Sequence, residues 1–262
     1  MPETPEFYVI PGPAVTSVLD GNEVEVMRII EKAYKSHGNN RTINPPSHFL
    51  TFPDRPRSRI IALPASVSDD RPVDGIKWIS SFPDNLALGL PRASALLILN
   101  DQRTGFPFSC LEGSIISATR TAASAALAAT SLFEGKERPH SVTYFGAGLI
   151  AKYVHRYLVR TGWTFNRVTI FDHDTEYAAQ FAEYVHGLGG EQQVVERAGD
   201  PDSAIRASGL IIFATTAAEP HVTNLDLFSH RPTVLNLSLR DLSPDIILGS
   251  ANILDDIEHC LR

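Results

Sequence analysis

The stretch Ser141–Leu158, SVTYFGAGLIAKYVHRYL, decides the predicted fold of the second half of the chain. An apolar strand pattern, VTYF, runs into the loop Gly146–Ala151, and an amphipathic helical pattern follows. Gly146 permits a tight turn, Gly148 permits a close approach to the backbone, and Ala151 is small enough for helix to meet strand. A Gly-x-Gly alone is weak evidence, because glycine serves any backbone that needs a positive φ or a close approach. The surrounding sequence must therefore decide what the loop is for.

Strand and helix patterns alternate on both sides of this loop from about Pro139 onward. Helical patterns lie near Ile150–Val159, Thr175–His186 and Asp202–Ala207. Short apolar strands with helical connections indicate a parallel sheet that is covered on both faces. We therefore predict an α/β, doubly wound Rossmann domain over residues 133–262. Its six predicted strands are SVTYFG, RVTIFD, EQQVVER, GLIIFAT, TVLNLS and ANILDD.

The second predicted strand ends in Asp172, at the position where dinucleotide-binding domains carry an acid that hydrogen-bonds the ribose hydroxyls. The free N–H groups and the positive dipole end of the helix after the glycine loop would face the phosphates. Asp172 would repel a 2′-phosphate, and His173 and Asp174 offer no Arg or Lys to bind one, so NAD is favoured over NADP. The alternative is a doubly wound domain that binds another ligand or none. Thr215, in FATTAAEP, is a further candidate at the carboxyl edge, although a polar turn explains it equally well.

The first half predicts a smaller α+β domain over residues 1–132. A short strand and a turn at Pro11–Pro13 precede the helical pattern EVEVMRIIEKAYKSH. The runs RIIALPASV, GIKWISSF and SALLILN are separated by gaps too short for helices, so Arg59–Gly105 is predicted as an antiparallel meander or part of a barrel. An Ala-rich helix over Ser114–Phe133 follows, and the domain boundary is predicted near Leu132–Pro139.

Composition argues against several classes of function. The 262-residue chain has a formal net charge of -7 with both signs interspersed, so neither nucleic acid nor a membrane is expected as its partner. The N-terminus lacks a signal-peptide pattern, and Arg120 interrupts the most apolar run, so no membrane span is expected. Cys110 and Cys260 lie far apart without a Cys/His cluster. We therefore expect no disulfide, no metal site and a cytoplasmic location.

Four charged residues lie where the pattern predicts burial, and buried charges are costly unless they are paired or used. They are Lys77, Arg92, Arg120 and Asp241. Three cations with one acid suit an anionic amino-acid substrate, because Arg and Lys bind carboxylates and Asp moves a proton. The structural alternatives are the polar face of an edge strand for Lys77 and Arg92, an ion pair with Glu112 or Glu134 for Arg120, and a cap on the helix at Ser243–Pro244 for Asp241.

Five stretches resemble the ornithine cyclodeaminase/μ-crystallin family: GIKWISSFPDN, GLPRASALLILNDQRTGFP, CLEGSIISATRTAASAALAA, FGAGLIA and LNLSLRDLSPDIIL. The resemblance covers nearly all of the chain and is most specific in SATRTAASAALAA combined with the glycine loop. IIALPA, IKWISSFP and LNLSLRDLSPDIIL with NILDDIEHC are most similar to the NAD-dependent N-(2-amino-2-carboxyethyl)-L-glutamate dehydrogenases. The resemblance implies a homodimer in which an N-terminal substrate-binding and dimerisation domain is joined to the Rossmann domain.

The resemblance also implies roles for single residues. Lys77 and Arg120 fall on the family's substrate-carboxylate positions, and Asp241 falls on its acid/base position, so Asp241 and Lys77 are the catalytic candidates. Arg92 stands where ornithine cyclodeaminases carry Thr, which fits a substrate with more carboxylates, and Arg59 is a further carboxylate candidate. The implied cofactor-binding residues are Arg120, Gly146, Gly148, Leu149, Ile150, Asp172, Thr215 and Ser238.

The activity that the resemblance implies is an oxidative hydrolysis for siderophore or antibiotic biosynthesis. NAD takes a hydride from the glutamate Cα of the adduct, and hydrolysis of the imine releases 2-oxoglutarate and L-2,3-diaminopropionate. The alternatives are an ornithine or lysine cyclodeaminase, an imine reductase, and a non-catalytic crystallin-like binding protein. Family members usually continue beyond the match to NILDDIEHC with a tail that packs against the N-terminal domain. This sequence stops at Arg262, so that tail is expected to be absent.

Overall fold

The computed structural model describes residues 6–189, 192–238 and 240–257. Packing divides the described residues into two units, one of residues 6–120 with residues 256 and 257, the other of those between 121 and 255. Two 3-10 segments, Pro83–Leu88 and Leu225–Phe228, accompany the helices and strands. In chain order these are β1 (Tyr8–Ile10), α1 (Gly12–Leu19), α2 (Glu23–Gly38), β2 (Thr42–Ile43), β3 (His48–Thr51), β4 (Arg59–Val67), β5 (Val73–Ser81), β6 (Ala93–Asn100), β7 (Pro107–Glu112), α3 (Ser114–Leu132), β8 (Ser141–Phe145), α4 (Leu149–Arg160), β9 (Arg167–Phe171), α5 (Thr175–Leu188), β10 (Val194–Arg197), α6 (Pro201–Arg206), β11 (Leu210–Phe213), β12 (Thr233–Asn236) and α7 (Pro244–Leu248).

The first unit is built on a seven-stranded sheet in the order β1-β7-β6-β5-β4-β2, with β3 also paired to β4. Strands β4, β5 and β6 form the predicted antiparallel meander, and β7, which the sequence pattern did not predict, continues it. The predicted turn at Pro11–Pro13 is wrong in one respect, because α1 already begins at Gly12. Pro13 fits there, since the N–H that proline lacks has no intrahelical partner in a first turn.

The second unit contains five parallel strands in the order β10-β9-β8-β11-β12. In chain order this is the 3-2-1-4-5 arrangement of a Rossmann sheet, so the predicted fold class is confirmed. The sixth predicted strand, ANILDD, is wrong: residues 251–256 form no strand. Ile253 and Leu254 are 75% and 51% exposed, whereas a parallel strand is buried on both faces.

Three phenylalanines form a row across the second sheet. Phe145, Phe171 and Phe213 are the last residues of β8, β9 and β11, and the register pairs Phe145 with both of the others. The ring centroid of Phe145 lies 5.5 Å from that of Phe171 and 4.6 Å from that of Phe213. The three following loops therefore leave the sheet at the same level.

The Ala-rich helix α3 spans the predicted segment, but the packing boundary at Arg120 lies within it rather than at its end. Its second half packs with the Rossmann unit, where Trp163 Nε1 donates a hydrogen bond to Thr130 Oγ1 at 3.2 Å. The predicted division at residues 132/133 assigns the whole helix to the substrate domain and stays a prediction. No helix in the described part of the chain is long and apolar enough to cross a membrane.

Candidate functional site

The glycine loop lies between β8 and α4, and its two glycines differ in what surrounds them. Gly146 has a φ of +89°, and a Cβ there would lie 2.5 Å from the backbone oxygen of Ala214. Only glycine fits that position. A Cβ on Gly148 would meet no atom of the described residues within 4 Å, so open space lies in front of it. In the part of the chain that the structure describes, no side chain caps the start of α4, which leaves N–H groups and a positive dipole end for an anion.

Asp172 follows β9 and holds the glycine loop. One carboxylate oxygen accepts a hydrogen bond from Ala147 N–H at 2.7 Å, and the other accepts one from Asp174 N–H at 2.9 Å. Both oxygens keep lone pairs that can accept hydrogen bonds from ribose hydroxyls. Leu149, which is exposed, and Ile150, which is half-buried, lie in the first turn of α4.

A cavity of about 460 Å³ opens beside Asp172, within the size range of small-molecule sites. Arg197, the last residue of β10, lies opposite Ile170 on the neighbouring strand β9. The sequence did not predict Arg197 as a site residue, because it is distant in the chain from Asp172. The strand order is the signal that could have found it. Together the helix start, the open space and this cavity fit the phosphates and adenosine of a dinucleotide. The cavity is lined by Ile170, Asp172, Thr175, Ala178, Arg197 and Ala198.

Asp241 is the centre of a buried polar cluster at the carboxyl ends of β11 and β12. Its side chain is fully buried and accepts hydrogen bonds from the hydroxyls of Thr215 and Ser238. His221 Nε2 lies 3.0 Å from the same carboxylate, and the backbone N–H of His221 donates to Asp241 O at 3.1 Å. The helix-cap alternative is wrong, because Ser243 rather than Asp241 is the N-cap of α7. The cofactor roles of Thr215 and Ser238 stay predictions.

Sequence reasoning also missed His221. It follows the polar segment FATTAAEP, and the chain returns to it through an isolated parallel bridge between Val222 and Leu242. This pairing of two loops depends on the order of the strands and cannot be read from local patterns. The available signal is that both loops follow adjacent strands of a Rossmann sheet, where ligands bind.

Lys77 lies in the interior of the first unit's sheet, since β5 pairs with β4 on one side and β6 on the other. Its Nζ donates a hydrogen bond to Ser117 Oγ at 3.1 Å. Burial, and then the charge of Arg120, lower the pKa of Lys77 to about 8. The edge-strand alternative for Lys77 is therefore wrong, and the structure brings Lys77 and Arg120 together. The predicted burial of Arg120 is also wrong, because Arg120 is exposed, and an unpaired guanidinium is costly to bury.

A second pair of cations meets at Ser81, the last residue of β5. Arg92 Nη1 donates to Ser81 Oγ at 2.8 Å, and Arg59 lies directly opposite Ser81 on β4. Burial, and then the charge of Arg59, lower the pKa of Arg92. Lys77 and Ser81 are four residues apart, so they share one face of the sheet and lie about 13 Å apart along the strand. We call this surface, defined by Lys77, Arg120, Arg92 and Arg59, the cation face.

Within residues 6–189, 192–238 and 240–257, no carboxylate forms an ion pair with any cation of the cation face. The predicted alternative for Arg120, an ion pair with Glu112, is wrong, because the carboxylate of Glu112 instead accepts from the backbone N–H groups of Ser114 and Ile115. The same described ranges hold no group of three or more His, Cys, Asp or Glu that could bind a metal ion. Cys110 is a free thiol, and Cys260 lies outside the described residues.

A model of the ornithine cyclodeaminase/mu-crystallin family matches residues 15–226. The chain belongs to this family. It is 27% identical over 248 residues to the N-((2S)-2-amino-2-carboxyethyl)-L-glutamate dehydrogenase of Staphylococcus aureus, covering 92% of this chain and 73% of that protein. The predicted family resemblance is therefore confirmed.

Two solved structures share the fold over most of this chain. The crystal structure of CmnK has a TM-score of 0.85 and 26% identity, with 97% of this chain and 76% of that chain covered. The Thermococcus litoralis Δ1-pyrroline-2-carboxylate reductase, in complex with NADH and L-proline, has a TM-score of 0.71 and 25% identity, with 82% of this chain and 64% of that chain covered. This chain thus spans about two thirds to three quarters of the length of these relatives.

Proposed function

We propose that the protein is an NAD-dependent dehydrogenase that oxidises a secondary amine, N-(2-amino-2-carboxyethyl)-L-glutamate, to 2-oxoglutarate and L-2,3-diaminopropionate. The observation that supports this proposal most is the cation face, where two neighbouring pairs of cations lack a carboxylate partner among the described residues. The proposed substrate carries three carboxylates. The likeness to the Staphylococcus aureus dehydrogenase supports the same reaction.

Several residues of the second unit would hold the cofactor. The start of α4 at Gly148, with Leu149 and Ile150, would face the phosphates. Asp172 would accept hydrogen bonds from the ribose hydroxyls and repel a 2′-phosphate. Thr215 and Ser238 complete the proposed set at the carboxyl edge. When bound, NAD supplies an acceptor for the hydride that leaves the substrate.

The cation face fits a substrate with several carboxylates better than one with a single carboxylate. Two cations close together destabilise each other's charge, and bound carboxylates relieve that repulsion. We assign one carboxylate to Lys77 and Arg120 and another to Arg92 and Arg59, because Lys77 and Ser81, where the two pairs lie, are about 13 Å apart along β5. Ornithine, lysine and pyrroline-2-carboxylate each have one carboxylate and leave one pair unneutralised.

The proposed reaction has an oxidative half and a hydrolytic half. In the first, the glutamate Cα loses a hydride and the secondary amine loses a proton, which leaves a C=N bond. In the second, the oxygen of water bonds to that carbon, the C–N bond breaks, and a primary amine and a ketone are released. The buried Asp241 cluster supplies the group that accepts and returns protons.

We also propose a homodimer that forms through the other face of the first unit's sheet. Trp78 lies directly opposite Leu96, and these side chains are 42% and 47% exposed. Adjacent large apolar side chains in the middle of a sheet mark a surface that another molecule covers. A cytoplasmic location and a role in siderophore or antibiotic biosynthesis complete the proposal.

The deciding experiment is an NADH-formation assay at the NADH absorbance band. We expect NADH with the glutamate adduct and none with ornithine or lysine. An Arg92→Thr variant, which introduces the residue that ornithine cyclodeaminases carry, should raise the KM for the adduct at least about tenfold. NADH oxidation with pyrroline-2-carboxylate but no reaction of the adduct would identify an imine reductase instead. Binding of NAD and adduct without any absorbance change would identify a non-catalytic binding protein.

A further inference from the structure

We propose that His221 is the group that exchanges protons with the substrate, and that Asp241 acts through it as a positioning residue. This inference rests on the proposed function, because it concerns the hydrolytic half of the same reaction. It differs from the role that the family resemblance implies, in which Asp241 itself is the acid/base.

Access separates the two residues. The Asp241 side chain is fully buried, whereas that of His221 is 31% exposed. Both carboxylate oxygens of Asp241 are already engaged, one by Thr215 and His221 and the other by Ser238. A carboxylate enclosed in this way can orient and stabilise its neighbours, whereas a partly exposed imidazole can contact a ligand.

The hydrogen bonds also determine the tautomer of His221. The Asp241 oxygen that faces Nε2 accepts a hydrogen bond from Thr215 as well, so Nε2 carries the proton that completes the contact. Nδ1 is then left with its lone pair, and within the described ranges no residue donates to it. A neutral imidazole with one nitrogen bound to a carboxylate and the other free is the arrangement of a general base.

The backbone holds the imidazole in place. The N–H groups of His221 and Val222 donate to Asp241 O at 3.1 and 2.9 Å, and Ser243 N–H donates to Val222 O at 2.9 Å. The ring of Phe213 lies 6.4 Å from the His221 ring in an edge arrangement. Among the described residues, Asp241 is the charged side chain that contacts the imidazole. Such preorganisation is what proton transfer needs.

The proton transfers balance through one nitrogen atom. Nδ1 takes a proton from water as the water oxygen bonds to the imine carbon, and the π pair of the C=N bond moves to nitrogen. The imidazolium returns that proton to the nitrogen, giving a carbinolamine. Nδ1 then takes the hydroxyl proton as the C=O bond forms, the C–N bond breaks with its electron pair on nitrogen, and the same proton completes the amine. Asp241 stays ionised and stabilises the imidazolium throughout.

A spectroscopic test needs neither cofactor nor substrate. Nitrogen-15 NMR of the histidine rings in the wild-type protein, with His221→Asn to assign the signals, should show the neutral His221 ring protonated at Nε2 and unprotonated at Nδ1. Asp241→Asn should disturb this tautomer. A proton on Nδ1 in the neutral ring would overturn the proposal. A substrate wrongly assigned under the proposed function leaves this result unaffected.

A kinetic test distinguishes proton transfer from a structural role. His221→Asn should lower kcat about 100-fold or more, keep the NAD affinity within about threefold, and change the pH dependence of kcat. His230→Asn is the matched control and should keep both kcat and its pH dependence, because His230 contacts Ser208 O before the start of β11, whereas His221 lies beyond its end. Added imidazole should restore part of the kcat of His221→Gly. A kcat for His221→Asn within about threefold of wild type, with an unchanged pH dependence, would overturn the proposal.

Discussion

Alanine substitutions at Gly146 and Gly148 should have opposite effects, although the two residues are neighbours in one loop. In Gly146→Ala the positive φ costs about 1–2 kcal/mol. The new Cβ would also lie 2.5 Å from the Ala214 oxygen and 2.9 Å from its carbonyl carbon, and both are backbone atoms that cannot move aside freely. Such overpacking costs about 1–3 kcal/mol. We therefore expect Gly146→Ala to lower the free energy of unfolding by about 2–5 kcal/mol.

Gly148→Ala is the matched control, because its Cβ would meet no protein atom within 4 Å and its backbone is extended. Its stability should stay the same or rise by about 0.4–1 kcal/mol. Its NAD affinity should fall at least about tenfold, since the methyl group fills the space proposed for the pyrophosphate. Urea unfolding measures the free energy of unfolding, and calorimetric titration with NAD measures the affinity. An unchanged NAD affinity in Gly148→Ala would refute the assignment of the loop, and a fully stable Gly146→Ala would refute the packing argument.

Three further predictions concern groups described by their burial or charge. Burial lowers the pKa of His155 to about 4, below the value of about 6.5 in an unfolded chain. The free energy of unfolding should therefore be highest above pH 6.5 and fall by about 3 kcal/mol as the pH decreases to 4. Urea unfolding at several pH values measures this loss, which should be smaller in His155→Leu. Lys77→Met should raise the free energy of unfolding by about 1 kcal/mol, because a partly buried cation is removed. The same variant should lower kcat/KM at least about 100-fold, and an unchanged kcat/KM would contradict the proposal that Lys77 binds a substrate carboxylate. Asp172→Ser should weaken NAD binding about tenfold and allow NADP to bind through Arg197, which lines the same cavity. The double variant with Arg197→Met should lose this NADP binding, as measured by calorimetry.

Local features made much of the second unit predictable. A strand, two glycines and a helix with an acid after the next strand are adjacent in the chain, so Gly146, Gly148 and Asp172 could be placed by spacing alone. The antiparallel meander was predictable for the same reason, since short gaps force neighbouring strands to pair. The confirmed family likeness adds specific residues, of which Lys77 and Arg120 lie close together in the structure.

Other features depend on how distant segments pair. Arg197 reaches the cavity beside Asp172 because β10 lies next to β9, and His221 reaches Asp241 because two loops meet after β11 and β12. Neither neighbour follows from periodicity. The strand predicted at ANILDD is wrong for a related reason: a short apolar pattern does not show whether its residues are buried, and the packing leaves Ile253 and Leu254 exposed to solvent.

The row of Phe145, Phe171 and Phe213 has a consequence for redesign of this protein. Each ring ends a strand, and the next residue in the chain is Gly146, Asp172 or Ala214, so a single hydrophobic layer supports all three loops. Shortening Phe145, which touches both other rings, should shift these loops together rather than singly, and its effect should not add to that of changes in its neighbours. Loop exchanges that leave the three rings intact keep the starting points of the loops and can alter ligand preference independently of one another.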